Sequence, residues 1–258
     1  MNDLQLALRQ VGYENRTFWR NPPAVFFTVA LPLTFLVIFN LLFGDNQIDR
    51  GFAEEVSGAT FYVPGIAALA VISAAYTNIA MMVSIARDNG LLKRTRGTPL
   101  PPWAFLFGKI VHATLVAVLL VVIVVAVGAI FYDVDIPTNT MPAFILTLVI
   151  GAASFCALGL AMTGLISNAD AAPAVVNGSI LPLLFISDIF IPLQDAPDWL
   201  KTFGAIFPVK HFSEALGTAF NPFETGAGFE WTALAVIAAW GVGGVLVAMR
   251  FFSWERRK

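Results

Sequence analysis

From Ala104 to Phe131 the chain reads AFLFGKIVHATLVAVLLVVIVVAVGAIF, a run whose length and apolarity suit hydrocarbon rather than water. A bilayer core about 30 Å thick takes roughly 20 mostly apolar residues in a helix. Continuous apolar runs, as opposed to alternation with period two, select helices over barrel strands. Working outward, five further stretches reach a similar length, at about 24–43, 61–86, 141–167, 173–193 and 231–252. With 58% hydrophobic and 12% charged residues the composition excludes a soluble domain of 258 residues. The expected fold is therefore all-α: a polytopic membrane protein with six transmembrane helices, forming one domain over residues 1–258. The first run follows some twenty polar and amphipathic residues without a small-residue cleavage site, and is expected to be retained.

The formal charge of -2 conceals an asymmetry. Arg9, Arg16, Arg20, Arg87, Lys93, Arg94, Arg96, Lys109, Arg250, Arg256, Arg257 and Lys258 fall at the termini or at the loops on one side. Arg50, Lys201 and Lys210 fall on the other. Because Lys and Arg bias sets orientation, both termini are expected to be cytoplasmic, which agrees with an even number of spans.

The segments between spans carry their own patterns. Residues 3–20 place Leu4, Leu8, Val11 and Phe18 on one helical face before Asn21-Pro22-Pro23, which predicts an interfacial helix anchored by arginines and Trp19. On the outer side, between spans 5 and 6, residues 198–207 and 209–216 form two short helical patterns separated by Pro208. Both are too short and too charged to span and suit half-inserted helices in membrane contact. Span 2 carries Ala70, Ala74 and Asn78 at i, i+4 and i+8, with Ser73 and Thr77 beside them, a small and polar stripe suited to close helix packing or to lining a path. Gly241, Gly243 and Gly244 give span 6 the same packing character. The turn at residues 167–170 is short and can pack beside the basic loop that follows span 2.

Catalytic and energy-transducing motifs are missing from the sequence. No G-x-x-x-x-G-K-[ST] occurs: Gly108-Lys109 is followed by Ile110. Neither H-E-x-x-H nor G-x-S-x-G is present. His112 and His211 fall on opposite sides of the expected membrane, and the lone Cys156 lies within span 4, so no catalytic or metal-ligating residue is assigned. Polar groups within the spans are few, and the candidates for a substrate path are Asn40, Thr77, Asn78, Asn177, Ser187 and Asp188. A proton-driven pump needs a fuller relay of carboxylates. An energy source outside the chain is expected instead.

The loop from Arg87 to Trp103, RDNGLLKRTRGTPLPPW, is the one strongly basic internal loop. It reads either as a docking surface or as a positive-inside loop against anionic lipid. Together with the N-terminal helix leading through Arg20-Asn21-Pro22 into span 1, it resembles the membrane subunit of ABC-2 type exporters. In that family an acidic residue, a glycine, basic residues and a proline form the coupling helix. Here the matching positions are Asp88, Gly90, Lys93, Arg94, Arg96 and Pro99, directly after Arg87. A third likeness follows span 5: Ser187, Phe190 and Pro192, then Pro197-Asp198-Trp199-Leu200, then Pro208. Asp188 stands where the family commonly has glycine.

The resemblance implies a bacterial plasma-membrane permease that pairs with a second copy or a sister permease and docks two ATPase subunits. ATP and magnesium would then be held by the partner, with no cofactor on this chain and no nucleic acid. The apolar spans suggest a hydrophobic or amphipathic cargo, a drug or antibiotic first and a lipid-linked glycan or glycolipid second. An intramembrane lipid-modifying enzyme and a self-powered carrier are the readings from other classes. The first should show convergent His, Asp or Ser groups and the second inverted repeats, and neither pattern appears.

Overall fold

The structure, a computed structural model, describes residues 3–44, 47–48, 56–98, 100–136, 138–193, 196–221 and 223–252. The chain opens with α1 (Asp3–Trp19) and turns at Asn21 into α2 (Pro22–Phe43). A two-residue antiparallel ladder, β1 (Gln47–Ile48) with β2 (Val56–Ser57), is the one extended pairing among the described residues. Ser57 then caps α3 (Gly58–Ile72), its Oγ accepting the Thr60 N–H at 3.3 Å. A π-helical turn, Ser73–Thr77, joins α3 to α4 (Asn78–Asp88), and α5 (Leu91–Arg96) follows. The remaining helices are α6 (Pro102–Phe131), α7 (Met141–Met162), α8 (Ala172–Phe185), α9 (Asp198–Gly204), α10 (Pro208–Ala219) and α11 (Trp231–Phe251).

By length and composition four of these can cross a membrane: Gly58–Asp88, Trp103–Phe131, Met141–Met162 and Trp231–Phe251. Thr28–Phe43 and Ala172–Phe185 are shorter apolar helices. Both expected boundaries at the C-terminal ends of spans 4 and 5 run too far. The helix of span 4 stops at Met162 instead of 167, and that of span 5 at Phe185 instead of 193. Hydropathy continues past both points, but the backbone does not.

The helix through Gly58–Asp88 is the centre of the bundle, with Val63 and Ala67 fully buried. α6 and α11 are rim helices, whose Leu115, Val122, Val242 and Leu246 are exposed as on a lipid-facing surface. The glycines of α11 act as the sequence suggests. A Cβ on Gly244 would lie 3.0 Å from the Ala157 backbone of α7, and one on Gly241 would collide with Ser154. Gly243 instead faces open space.

Two expected faces are corrected. In α1, Ala7 and Phe18 are buried while Leu4 and Leu8 are exposed, so the expected apolar face divides between the protein and the outside. In span 2, the π turn bonds the Asn78 N–H to Ser73 O, one residue further than an α turn. The extra residue breaks the straight line from Ala70 and Ala74 to Asn78. The two alanines are fully buried, whereas Asn78 is half-buried.

The segment between α8 and α11 forms a helical hairpin of α9 and α10. One end lies level with the middle of α11: Phe207 stacks on Trp240 at 6.0 Å, and the Trp240 indole N–H donates to Ile206 O at 3.0 Å. The other meets the start of α7, where Thr140 Oγ1 donates to Ala219 O at 2.5 Å and Phe144 packs edge-on to Phe220. Of the two short helices expected to touch the membrane, α9 leaves Trp199 and Phe203 exposed. α10 is instead packed in protein. Its Phe212 is fully buried and occupies the notch left by Gly151 on α7.

Candidate functional site

The elbow between α4 and α5 is fixed by residues pulled inward. Arg87 is only 2% exposed. Its guanidinium donates from Nη1 to Thr163 O at 2.8 Å and from Nη2 to Ile166 O at 2.5 Å. These carbonyls lie just past the end of α7, where helix termination leaves acceptors without intrahelical donors. Beside it, Asp88 Oδ2 accepts the Ala169 N–H at 2.8 Å. One end of span 2 is thus clasped to the turn between α7 and α8, the turn expected to pack beside the basic loop.

Gly90 makes the corner. It adopts φ +69°, and a Cβ there would meet nothing within 4 Å, so backbone conformation alone demands glycine. The following α5 anchors through Leu92, 1% exposed, and leaves Leu91, Lys93 and Arg94 exposed. Thr98 Oγ1 closes the far end on Thr95 O at 2.6 Å. Pro99 and the side chain of Arg96 lie outside the described residues. The proposed docking residues therefore divide into two sets: Arg87 and Asp88 bond within the chain, while Lys93 and Arg94 are presented on a helix.

α1 is locked to α6 beneath this elbow. Lys109 and Glu14 form an ion pair of 3.0 Å with both side chains 12% exposed, and Gln10 donates to the same carboxylate at 2.8 Å. Gly108 admits Gln10 at a distance no Cβ would allow. Sequence reading missed this pair. The available signal was Lys109 itself, a cation within an apolar run that needs a partner.

The six substrate-path candidates are dispersed. Asn40 is 6% exposed and donates to Leu36 O of its own helix at 2.8 Å. Thr77 belongs to the π turn and Asn78 follows it. Asn177 is exposed on α8. Ser187 is buried and its hydroxyl donates back to Leu183 O. Asp188 has φ +56°, and its Oδ1 accepts the Leu193 N–H at 2.6 Å. This left-handed corner is why glycine suits the position, and aspartate tolerates it by bonding to nearby backbone. Asp188→Gly and Asp188→Asn are accordingly expected to fold and transport near normally, whereas Asp188→Val is expected to lose about 1–2 kcal/mol. Thermal unfolding in detergent tests this, and a loss shared by all three variants would instead indicate a need for the charge.

Asp188 also belongs to a charged group that the sequence did not reveal. On α10, which does not cross the membrane, Glu214 lies 3.6 Å from Lys210 Nζ and 3.7 Å from His211 Nδ1. Burial pushes the Glu214 carboxyl above the usual carboxylate range; Lys210 and His211 pull it down, and Asp188 pushes it up. A carboxyl raised in the folded state favours folding while protonated, and that contribution is lost as pH rises through the raised value. Glu214→Gln is expected to flatten this fall in stability as pH rises above the ordinary carboxylate range, as read by unfolding at a series of pH values.

Two cavities flank these elements. One of about 410 Å³ lies among α1, α4, α5 and α6 and includes Asn78. The other, about 750 Å³, is walled by α7, α8, α10 and α11 and includes none of the six candidates. It contains instead the pair Tyr76 and Ser179, whose hydroxyls are 2.6 Å apart. Ser179 donates to Val176 O at 2.7 Å, so Tyr76 is the donor to Ser179. Polar groups inside apolar runs were the only trace of this pair in the sequence.

A helical bundle with several helices long and apolar enough to cross a membrane, a basic elbow after α4 and a hairpin of α9 and α10 suits a multi-pass membrane protein. The sequence profile of the ABC-2 type transporter family matches residues 10–220, and the chain belongs to that family. A probable multidrug ABC transporter permease, YbhR of Escherichia coli K12, is 28% identical over 154 residues, covering 60% of this chain and 42% of that protein. The putative transport permease YvfS of Bacillus subtilis is 22% identical over 258 residues, covering 100% and 98%. The daunorubicin resistance ABC transporter permease protein DrrB1 of Streptomyces coeruleorubidus is 28% identical over 197 residues, covering 72% and 65%. The chain thus spans about two fifths of the length of the Escherichia coli relative and nearly all of the Bacillus subtilis one.

Proposed function

We propose that the chain is the permease of an ATP-driven exporter that moves a hydrophobic or amphipathic molecule, a drug or antibiotic, out of a bacterial cell. It is one domain with six crossings, α2 and α8 supplying the two shorter ones, and both termini are cytoplasmic. Two copies, or one copy and a sister permease, dock two ATPase subunits that hold ATP and magnesium. The chain hydrolyses no nucleotide itself.

The observation that carries this reading is the elbow. A helix can transmit force only if it is presented outward and braced behind. Lys93 and Arg94 are exposed on α5, while Arg87 and Asp88 brace the preceding helix against the turn between α7 and α8. The family membership and the relatives named as ABC transporter permeases support the same assignment.

The test is purification of the chain from native membranes in mild detergent with an ATP-hydrolysis assay on what accompanies it. An ATPase should co-purify and be lost on Lys93→Glu with Arg94→Glu, while the chain stays inserted. A chain that purifies without nucleotide hydrolysis, or an association indifferent to both substitutions, overturns the reading.

A further inference from the structure

The cavity of about 410 Å³ is not used by the docking argument, although α5 forms one of its walls. Its volume lies within the range of small-molecule sites, about 300–1,000 Å³. Most of its lining is hydrocarbon, from Phe18, Ile79, Met82, Leu92 and Phe105. Its polar groups are of two kinds. Glu14 and Lys109 are the formal charges among the described lining residues, and they satisfy each other at 3.0 Å, with Gln10 adding a donor to the carboxylate. His112 is different: it is 7% exposed, its Nδ1 has no hydrogen-bond partner, and the ring's aromatic neighbour is the edge of Phe18 at 5.4 Å.

These facts select a ligand by charge. Among the described lining residues an entering ion would meet a closed ion pair and no free countercharge, so its desolvation would go uncompensated. An uncharged molecule carries no such cost, and a buried imidazole nitrogen without a partner gains from one hydroxyl or carbonyl group. A ring flip about the Cβ–Cγ bond exchanges which side of the imidazole carries Nδ1. Tyr13, which lines the cavity, is exposed on α1 together with Leu4, Leu8 and Trp19, as on a helix lying at a membrane interface.

We infer that this cavity is a binding site for an uncharged single-chain amphiphile from the cytoplasmic leaflet, its tail among the apolar side chains and its hydroxyl head at His112. An occupant sits between α1 with α6 on one side and α5 on the other, so its presence sets the position of α5 against the bundle. Only this last consequence rests on the exporter reading. The binding does not.

The experiment uses the purified chain in phosphatidylcholine nanodiscs, without ATPase or ATP, so the outcome is independent of the transport assignment. The probe is a monoacylglycerol with a photoactivatable group in its palmitoyl chain, and crosslinked peptides are mapped by mass spectrometry. Labelling is expected within residues 10–18, 78–92 and 105–113, displaced by unlabelled monopalmitoylglycerol. His112→Phe keeps the ring but removes its hydrogen bond, and should weaken this labelling about fivefold. Met82→Trp, which fills the cavity, should abolish it while the protein stays monodisperse. Photoactivatable palmitate and alkylammonium probes should label these peptides weakly. Labelling spread over the rim helices and unchanged by both variants overturns the site. Equal labelling by the charged probes overturns the ligand class.

Discussion

Arg87→Met is expected to lower the stability of the folded chain by about 3–4 kcal/mol. Each hydrogen bond from a charged donor contributes about 1.5–3 kcal/mol, and the guanidinium donates to both Thr163 O and Ile166 O. Methionine fills much of the same volume but leaves both carbonyls without that donor. Arg87→Lys should recover only part of the loss, because an ammonium on a flexible stem cannot reproduce a planar fork aimed at two acceptors. Thermal inactivation in detergent, followed by size-exclusion profiles, measures the difference. Normal stability with a selective loss of the co-purifying ATPase would place the action of Arg87 on the partner instead of within the chain.

Gly90→Val is expected to uncouple transport without preventing insertion. An L-residue in the left-handed region costs about 1–2 kcal/mol, a factor of about 5–30 in the population of the native corner, and a β-branched residue is the least tolerant. Space is not the obstacle, since nothing lies within 4 Å of the missing Cβ. Gly90→Asn should therefore retain most of the transport that Gly90→Val loses. Efflux of a hydrophobic test compound from cells expressing each variant, normalised to membrane abundance, reads the effect. Equal loss in both variants would mean that the site requires a bare backbone for contact with the partner, not for its conformation.

Much of the architecture was legible because hydrocarbon imposes a length and a composition. The apolar runs, the break at Pro208 and the packing role of Gly241 and Gly244 could all be read without coordinates. The helix ends could not. The sequence LPLLFISDIFIPL is apolar on both sides of Phe185, so hydropathy has no means of registering the left-handed backbone at Asp188. The end of α7 is hidden for a different reason. It depends on a guanidinium 76 residues earlier in the chain, and no local pattern reports such a distance. Arg87 itself looked like one more cation of a positive-inside loop, since composition cannot distinguish a charge facing water from one turned inward onto carbonyls. The same holds for the outer hairpin, where Lys210, His211 and Glu214 are visible at helical spacing but the approach of Asp188 is not.

The π turn at Ser73–Thr77 has a practical consequence for mapping the central helix. No single helical wheel represents Gly58–Asp88, because the angular position of every residue after the wide turn is displaced relative to those before it. A cysteine scan of this helix should return two accessibility waves, each close to the ordinary period, with a jump in phase between Ile72 and Asn78. Fitted as one wave, the scan would assign Tyr76 and Asn78 to the wrong neighbours and conceal that they face different cavities.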